Sequence, residues 1–510
     1  MITPPEPPPR RPSIRLLLLL SVIVVAWQID LQVRTSPYPH YAINAAVGLY
    51  PELLQELWAY KYYGVFPVCT TRLPPRSREQ ADELLAQHGD SLVMDLNTPA
   101  SMVRHGDFGR LWLLLGSLWL GGDPLHGSVI RTNEALFIVA LLAVLWAFWK
   151  QGLFLPGLII VLLAGSNPFQ QQQLLQENIF SLPATFALMA LALNLPLLSG
   201  LAGSSKRRWA IPLASGVFLA TAREIRAEAA LTLLALPLIY LTIPRTPWRA
   251  RWAMVALLAV SYLATGGLWT ASWNHKVDQA RQWVAARGGH PYNGLRTPHH
   301  ALWHNVWTGL GDFDTRFGYA WDDRRAFAYA TPILRRQYGI DLTYTQGYYT
   351  DQTYPPDHFY KINLEDIPQY TRVIRDKLLH DITRHPLWYG GILLRRTWRI
   401  FHDAVPVALA AGPLELDDPY LIYLAPVALG FLIWRRRWLG VKLSLFSLPL
   451  SFTPLLIYSK QGMTYYSIFH VIMTAVMVQW ACEAWQTRQA RRRRQSLPSG
   501  TTDYNSLHAR

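Results

Sequence analysis

Apolar residues in this chain come in long runs, separated by short clusters of arginine and lysine. Stretches such as Ala135–Trp149 and Ala253–Trp269 carry no charge at all. A bilayer core is crossed by about 20 apolar residues of helix, and lipid offers no partner for a free backbone N–H or C=O. The pattern predicts ten spanning helices, over roughly 14–29, 133–149, 153–167, 180–200, 209–222, 228–243, 252–272, 419–434, 441–458 and 466–484. The fold class expected is an all-α polytopic membrane protein with two large loops on the outer face.

Alternating the spans puts the N-terminus, Lys150, Lys206-Arg207-Arg208, Arg245 to Arg251, Arg435-Arg436-Arg437 and the tail Arg491–Arg494 on one side. Short basic connections mark the cytoplasmic side, so both termini are expected there. The chain then divides into a tail and first span (1–29), a first outer loop (30–132) and spans two to seven (133–272). A second outer loop or small domain (273–418), spans eight to ten (419–486) and a basic tail (487–510) complete it. Tyr50–Tyr63 and Phe108–Leu120 in the first loop are amphipathic or apolar enough to lie on the bilayer. Pro386 to Phe401, with Arg395, Arg396 and Arg399, suits an interfacial helix, although a crossing over 387–411 would change the parity of the count. The polar tail after Ser496 is expected to be disordered.

Composition agrees with this class, at 51% hydrophobic and only 16% charged residues. The net charge of +15 does not indicate nucleic-acid binding, because the cations sit in clusters between spans. Cys69 and Cys482 fall on opposite sides, which excludes a disulfide between them, and their spacing is not that of a metal site. The N-terminus is Pro-rich with Arg10, Arg11 and Arg15, but no small-residue cleavage site follows Trp27, so it reads as an uncleaved first span.

Polar groups with chemical potential collect on the outer side. Thr221 to Glu228 places Arg223, Glu224, Arg226 and Glu228 between two apolar runs. Ionised groups at bilayer depth usually face a partner, water or a ligand. Asn167 and Gln170 to Asn178 follow the third span. The first outer loop offers Asp30, Asp90, Asp95 and Asp107, and the second offers His299, His300, Trp303, His304, Asp322 and Asp323. The loop before the last span holds Lys460 and Tyr466. His300 and His304 have a metal-type i, i+4 spacing without the accompanying Glu of a zinc protease, so a divalent metal there stays open while no metal ligand set is assigned. Asp322 and Asp323 could equally pair with Arg324 and Arg325, and the Arg–Glu cluster could be an internally satisfied turn.

Transfer of a sugar from a lipid-linked phosphate donor fits this distribution. Arg223, Arg226 and Lys460 would hold the phosphate leaving group, and a first-loop aspartate would deprotonate the acceptor hydroxyl. The chain here resembles the GT-C superfamily of integral membrane glycosyltransferases, such as protein O-mannosyltransferases and lipid A aminoarabinose transferases. The resemblance rests on the layout, on Asp95 to Phe108, on Phe218 to Glu228, on Arg384-His385-Pro386 and on Met463-Thr464-Tyr465-Tyr466. It implies a polyprenyl-phosphate sugar donor, membrane lipids as surroundings and a glycan, lipid or protein acceptor. The expected site has Asp95 as base, with Asp30 as main competitor and Asp90 as a third choice. Arg223, Arg226, Lys460 and Tyr466 would bind donor phosphate. Glu224, Glu228, His299, His300, Trp303, His304, Asp322 and Asp323 would contact substrate. The Pro and Gly of the family's Arg-Pro-Glu-Gly hairpin are missing, and no Asp-Glu pair closely follows the first span. A lipid-linked oligosaccharide flippase or other transporter, an O-antigen-type polymerase or ligase, and a non-catalytic assembly component are the competing readings. The expected location is the inner membrane, with the site facing the periplasm.

Overall fold

The computed structural model describes residues 12–35, 58–70, 72–73, 75–94, 128–174, 182–200, 205–244, 246–291, 302–340, 342–345, 348–351, 368–403, 407–411, 414–418, 425–451 and 463–496. The chain is mostly helical, and its strands form only short antiparallel pairs among the described residues. Among the described residues, four helices contain stretches long and apolar enough to cross a membrane: Ile14–Gln32, Thr132–Lys150, Trp248–Ala285 and Ser467–Ala490.

The bundle is built from α1 (Ile14–Thr35), α2 (Ser128–Lys150), α3 (Phe154–Gly165), the short α4 (Pro168–Leu174), α5 (Leu182–Leu198), α6 (Ser205–Ile225), α7 (Leu236–Leu241) and α8 (Trp248–Ala285). After the polar insert it resumes with α9 (Ala425–Trp434), α10 (Trp438–Ser447) and α11 (Met463–Ser496). Their buried sides share one apolar core, which includes Leu17, Phe137, Ile160, Leu191, Leu236, Leu258, Phe446 and Ile472. Helices in lipid associate by close packing and by internal hydrogen bonds rather than by hydrophobic burial. Gly216 shows the first device: a Cβ there would lie 2.6 Å from the Leu258 carbonyl oxygen, so its absence lets α6 and α8 meet. Asn194 shows the second, accepting from Tyr240 Oη (2.5 Å) and Ser215 Oγ (3.2 Å) while donating to the Ala190 carbonyl.

All ten expected apolar segments overlap helices, with informative differences at their ends. α1 continues to Thr35, so Asp30 lies inside a helix rather than just beyond a span. The stretch 228–243 is split: residues Ala227–Leu234 are wound as a 3-10 helix, and Pro237 sits in the first turn of α7, where a fresh helix readily starts. The boundary at 272 cuts a continuous helix, because α8 runs for 38 residues to Ala285. At 1.5 Å per residue it is about 57 Å long, roughly twice a bilayer core.

The projecting end of α8 anchors a small unit. Trp273, Val277, Ala280 and Val284 pack against Trp58, Phe66, Val68, Leu84 and Leu92 from the first loop. Cys69 and Thr70 pair with Val93 and Leu92, and His290, just past α8, donates its amide to the Leu92 carbonyl at 2.8 Å.

A second unit has its own core. It comprises α12 (Leu302–Leu310), α13 (Asp323–Tyr338), α14 (Pro368–Arg384) and α15 (Pro386–Asp403), packed through Trp307, Tyr319, Phe327, Tyr370, Trp388 and Ile392. Over 387–411 the helix does not continue to the end: α15 ends at Asp403, and Val407–Ala411 forms an antiparallel pair with Leu414–Asp418. Leu387, Leu394 and Trp398 stay exposed on α15, opposite buried Trp388, Ile392 and Arg396.

Candidate functional site at the polar end of the bundle

The bundle has two chemically different ends. At one, Trp149 Nε1 donates to the Pro12 carbonyl (3.0 Å), and Ser199 Oγ donates to Gln151 Oε1 (3.2 Å). There Arg251 and Lys442 also donate to the carbonyls of Leu241 and Thr242, which end α7. Cations at a helix C-terminus offset its dipole and satisfy its free carbonyls. These contacts gather the short basic connections, Lys150, Lys206 to Arg208, Arg249 to Arg251 and Arg435 to Arg437, at that end.

At the opposite end the bundle buries polar side chains. Gln28 of α1 donates its amide to the Gly165 carbonyl (3.1 Å), and Gln171 of α4 donates to both Gln28 Oε1 (2.9 Å) and Gly165 (2.7 Å). Gln32, Ser166, Asn167, Gln170 and Gln173 are buried around them. Ser166 Oγ and Gln171 Oε1 face no described hydrogen-bond donor or acceptor. An amide cluster of this kind, within a bundle that is otherwise apolar, marks a place where the helices must be polar for packing or for a ligand.

The Arg–Glu cluster lies at the same end. Arg223 turns both Nε (3.1 Å) and Nη2 (2.7 Å) onto Oε1 of buried Glu224, and its guanidinium lies over the Tyr262 ring of α8. Trp269 of α8 donates to Thr221 Oγ1 (3.3 Å), which fixes the end of α6 against α8. Arg226 pairs with Glu228 at 2.7 Å. The two carboxylates therefore neutralise the two arginines from within the cluster. Arg223 differs from Arg226 in access: its side chain is 41% exposed, against 18%.

The other expected site residues that are described fall on α1, in the unit on α8 and in the second unit. Asp30 is half-buried on α1, between Gln28 and Gln32 along the helix. Asp90 is exposed in the small unit on α8. Asp95, Lys460, His299 and His300 lie outside the described residues, as does the side chain of Tyr466. Met94, which precedes Asp95, bonds through its amide to the His290 carbonyl at 3.3 Å and packs in the core that contains Val284. Arg223 of α6 lies beside Gly266 of α8, the helix that also carries Val284. Along α8 the two positions are about 27 Å apart.

In the second unit, His304 is buried with both ring nitrogens engaged. Nδ1 meets Tyr370 Oη at 2.6 Å, Nε2 meets Asp323 Oδ1 at 3.0 Å, and the ring stacks on Phe327. His304 thus joins α12, α13 and α14. Asp322 caps α13 by accepting the Arg324 amide at 3.0 Å. Trp303 is half-buried at the edge of that core. Among the described residues no group of three His, Cys, Asp or Glu side chains is placed to hold a metal ion.

Sequence reasoning missed two further polar features of this unit. Lys377 reaches Asp381 at 2.8 Å and lies over the rings of Trp307, Tyr319 and Tyr329, while Tyr319 donates to the same carboxylate oxygen. Burial, followed by this hydrogen bond to Asp381, pushes the Tyr319 hydroxyl above its ordinary range. Buried Arg396 donates to the Gly309 carbonyl in the last turn of α12. Only their clustering with aromatics along the second loop could have signalled them. For Gln28, the signal was its i, i+4 spacing to Gln32 within a span.

Compared with protein-family models, with curated proteins and with solved structures, the chain shows no match.

Proposed function

We propose that this protein transfers a sugar from a polyprenyl-phosphate-linked donor to a glycan, lipid or protein acceptor, at the polar end of its helical bundle. The observation that carries this reading is the asymmetry of that bundle. Buried amides and the Arg–Glu cluster occupy one end, and the unit built on α8 projects beyond it. The other end holds the basic turns. On this reading the basic end faces the cytoplasm, both termini lie there, and the chemistry takes place at the outer leaflet.

Arg223 is the preferred phosphate ligand, because its exposed edge could take an anion while Glu224 holds it in place. Asp30 is preferred as the base, with Asp95 as its competitor. Asp30 belongs to the bundle itself, next to the buried amides. Removing a general base typically lowers the rate about 10²–10⁴-fold. Asp30→Asn should therefore abolish nearly all turnover in folded protein, and Asp95→Asn should leave it measurable. The reverse pattern would restore Asp95.

Incubating purified protein with labelled polyprenyl-phosphate sugars and following release of polyprenyl phosphate tests the activity directly. A flippase, favoured by the burial of Gln28 and Gln171 between helices, would move the donor across a liposome without cleaving it. That outcome would replace the transferase reading.

A further inference from the structure

The basic end contains a cavity that sugar transfer at the other end does not use. It has a volume of about 280 Å³ and lies between the start of α3, the turn joining α9 to α10, and α11. Its walls are apolar, with Leu153, Pro156, Leu443 and Trp480 among them, and its mouth carries Arg436, Arg437 and Glu483. Arg437 is committed to Glu483 at 3.2 Å. Arg436 is exposed and forms no ion pair with any described residue.

The backbone at Arg436 gives a second, independent indication. Its φ is 53°, in the left-handed region that glycine adopts freely and other residues rarely do. A long cation therefore stands where the backbone would favour glycine, and strain of this kind clusters at ligand contacts and other functional positions. Trp434 and Trp438 flank the turn, 71% and 58% exposed, as rings do at a lipid–water boundary. An apolar slot at the end of spanning helices, topped by an uncommitted cation and bordered by tryptophans, matches one class of molecule: an amphiphile with an anionic head.

We propose that this cavity binds one anionic phospholipid, with part of an acyl chain against the apolar wall and the phosphate on Arg436. Basic pockets between helices hold acidic headgroups in this way. The lipid would tie α3, α10 and α11 together at the leaflet opposite the proposed chemistry. The site stands independently of the transferase reading.

Native mass spectrometry of the detergent-purified protein tests it, with titrations of phosphatidylglycerol and of phosphatidylcholine carrying the same chains. The expected result is one phosphatidylglycerol bound in preference to phosphatidylcholine. Arg436→Asn should weaken that binding roughly tenfold to a hundredfold, the loss expected for a charge-assisted bond to phosphate. Asparagine tolerates the left-handed conformation, so this variant should melt like the parent, and Arg436→Lys should retain most of the preference. Arg207→Gln, at the same end but away from the cavity, should change nothing. Equal binding of the two lipids, or unchanged phosphatidylglycerol binding by Arg436→Asn, would overturn the proposal. So would a dimer that Arg436→Asn dissociates, since a second copy would then be the occupant.

Discussion

The two ends of the bundle treat charge in opposite ways. At the polar end Arg223 and Arg226 have carboxylates one and two residues away, and Glu224 is only 4% exposed. At the basic end Lys206, Arg207, Arg435 and Arg436 are exposed and none of them pairs with a carboxylate among the described residues, while Arg437 meets only the half-exposed Glu483. A charge taken out of water costs several kcal/mol unless a partner offsets it, whereas one at a water–lipid boundary keeps its hydration. The difference shows that arginine count says little about function here, and that pairing and depth say much more. Cations left in water orient the chain, and cations tied to buried carboxylates are there for structure, for a ligand, or for both.

The most damaging test of this contrast is Glu224→Ala. It leaves Arg223 without its buried partner and should cost about 3 kcal/mol, the lower end for breaking a buried pair because Arg223 is partly exposed. Thermal unfolding in detergent would read it, and a change below about 0.5 kcal/mol, the usual size for a surface site, would show that the pair carries no structural load.

A smaller effect is expected at the amide cluster. Gln171→Leu removes the bonds to Gln28 and Gly165 and should cost about 1 kcal/mol, since hydrogen bonds between helices in membranes average less than that each. If Ser166 and the rest of the cluster serve only packing, the same variant should leave donor turnover unchanged. If they line the donor site, turnover should fall further than stability does.

Smallest of all should be Lys206→Gln and Arg207→Gln, each within about 0.5 kcal/mol of the parent. A larger loss in the same unfolding assay would mean that these two exposed cations carry structural load, and the contrast would fail.

The apolar segments were legible in the sequence because uncharged runs have one physical outcome in lipid. Their ends were less so. Asn274, His275 and Lys276 mark a change in polarity after Trp273, but no proline stops the helix there, so α8 continues to Ala285. Polarity locates the membrane boundary, and helix breakers locate the end of a helix. The paired Arg–Glu cluster could be read directly, since its partners are neighbours in sequence. Gln28 and Gln171 are 143 residues apart, and His304 and Tyr370 are 66 apart, so their contacts depend on how helices pack. His304 also shows that a promising local spacing says nothing of burial: the ring lies inside a unit and joins three of its helices.

If the polar end carries the chemistry at the outer leaflet, the two ends of the bundle face opposite sides of a membrane. Single cysteines placed at Gln87, exposed in the unit on α8, and at Lys206, exposed at the basic end, can be probed with a membrane-impermeant maleimide. In sealed right-side-out membrane vesicles, Gln87→Cys should label at once, and Lys206→Cys only after the vesicles are opened. Labelling of both from the same side, or of Lys206→Cys alone in sealed vesicles, would contradict it.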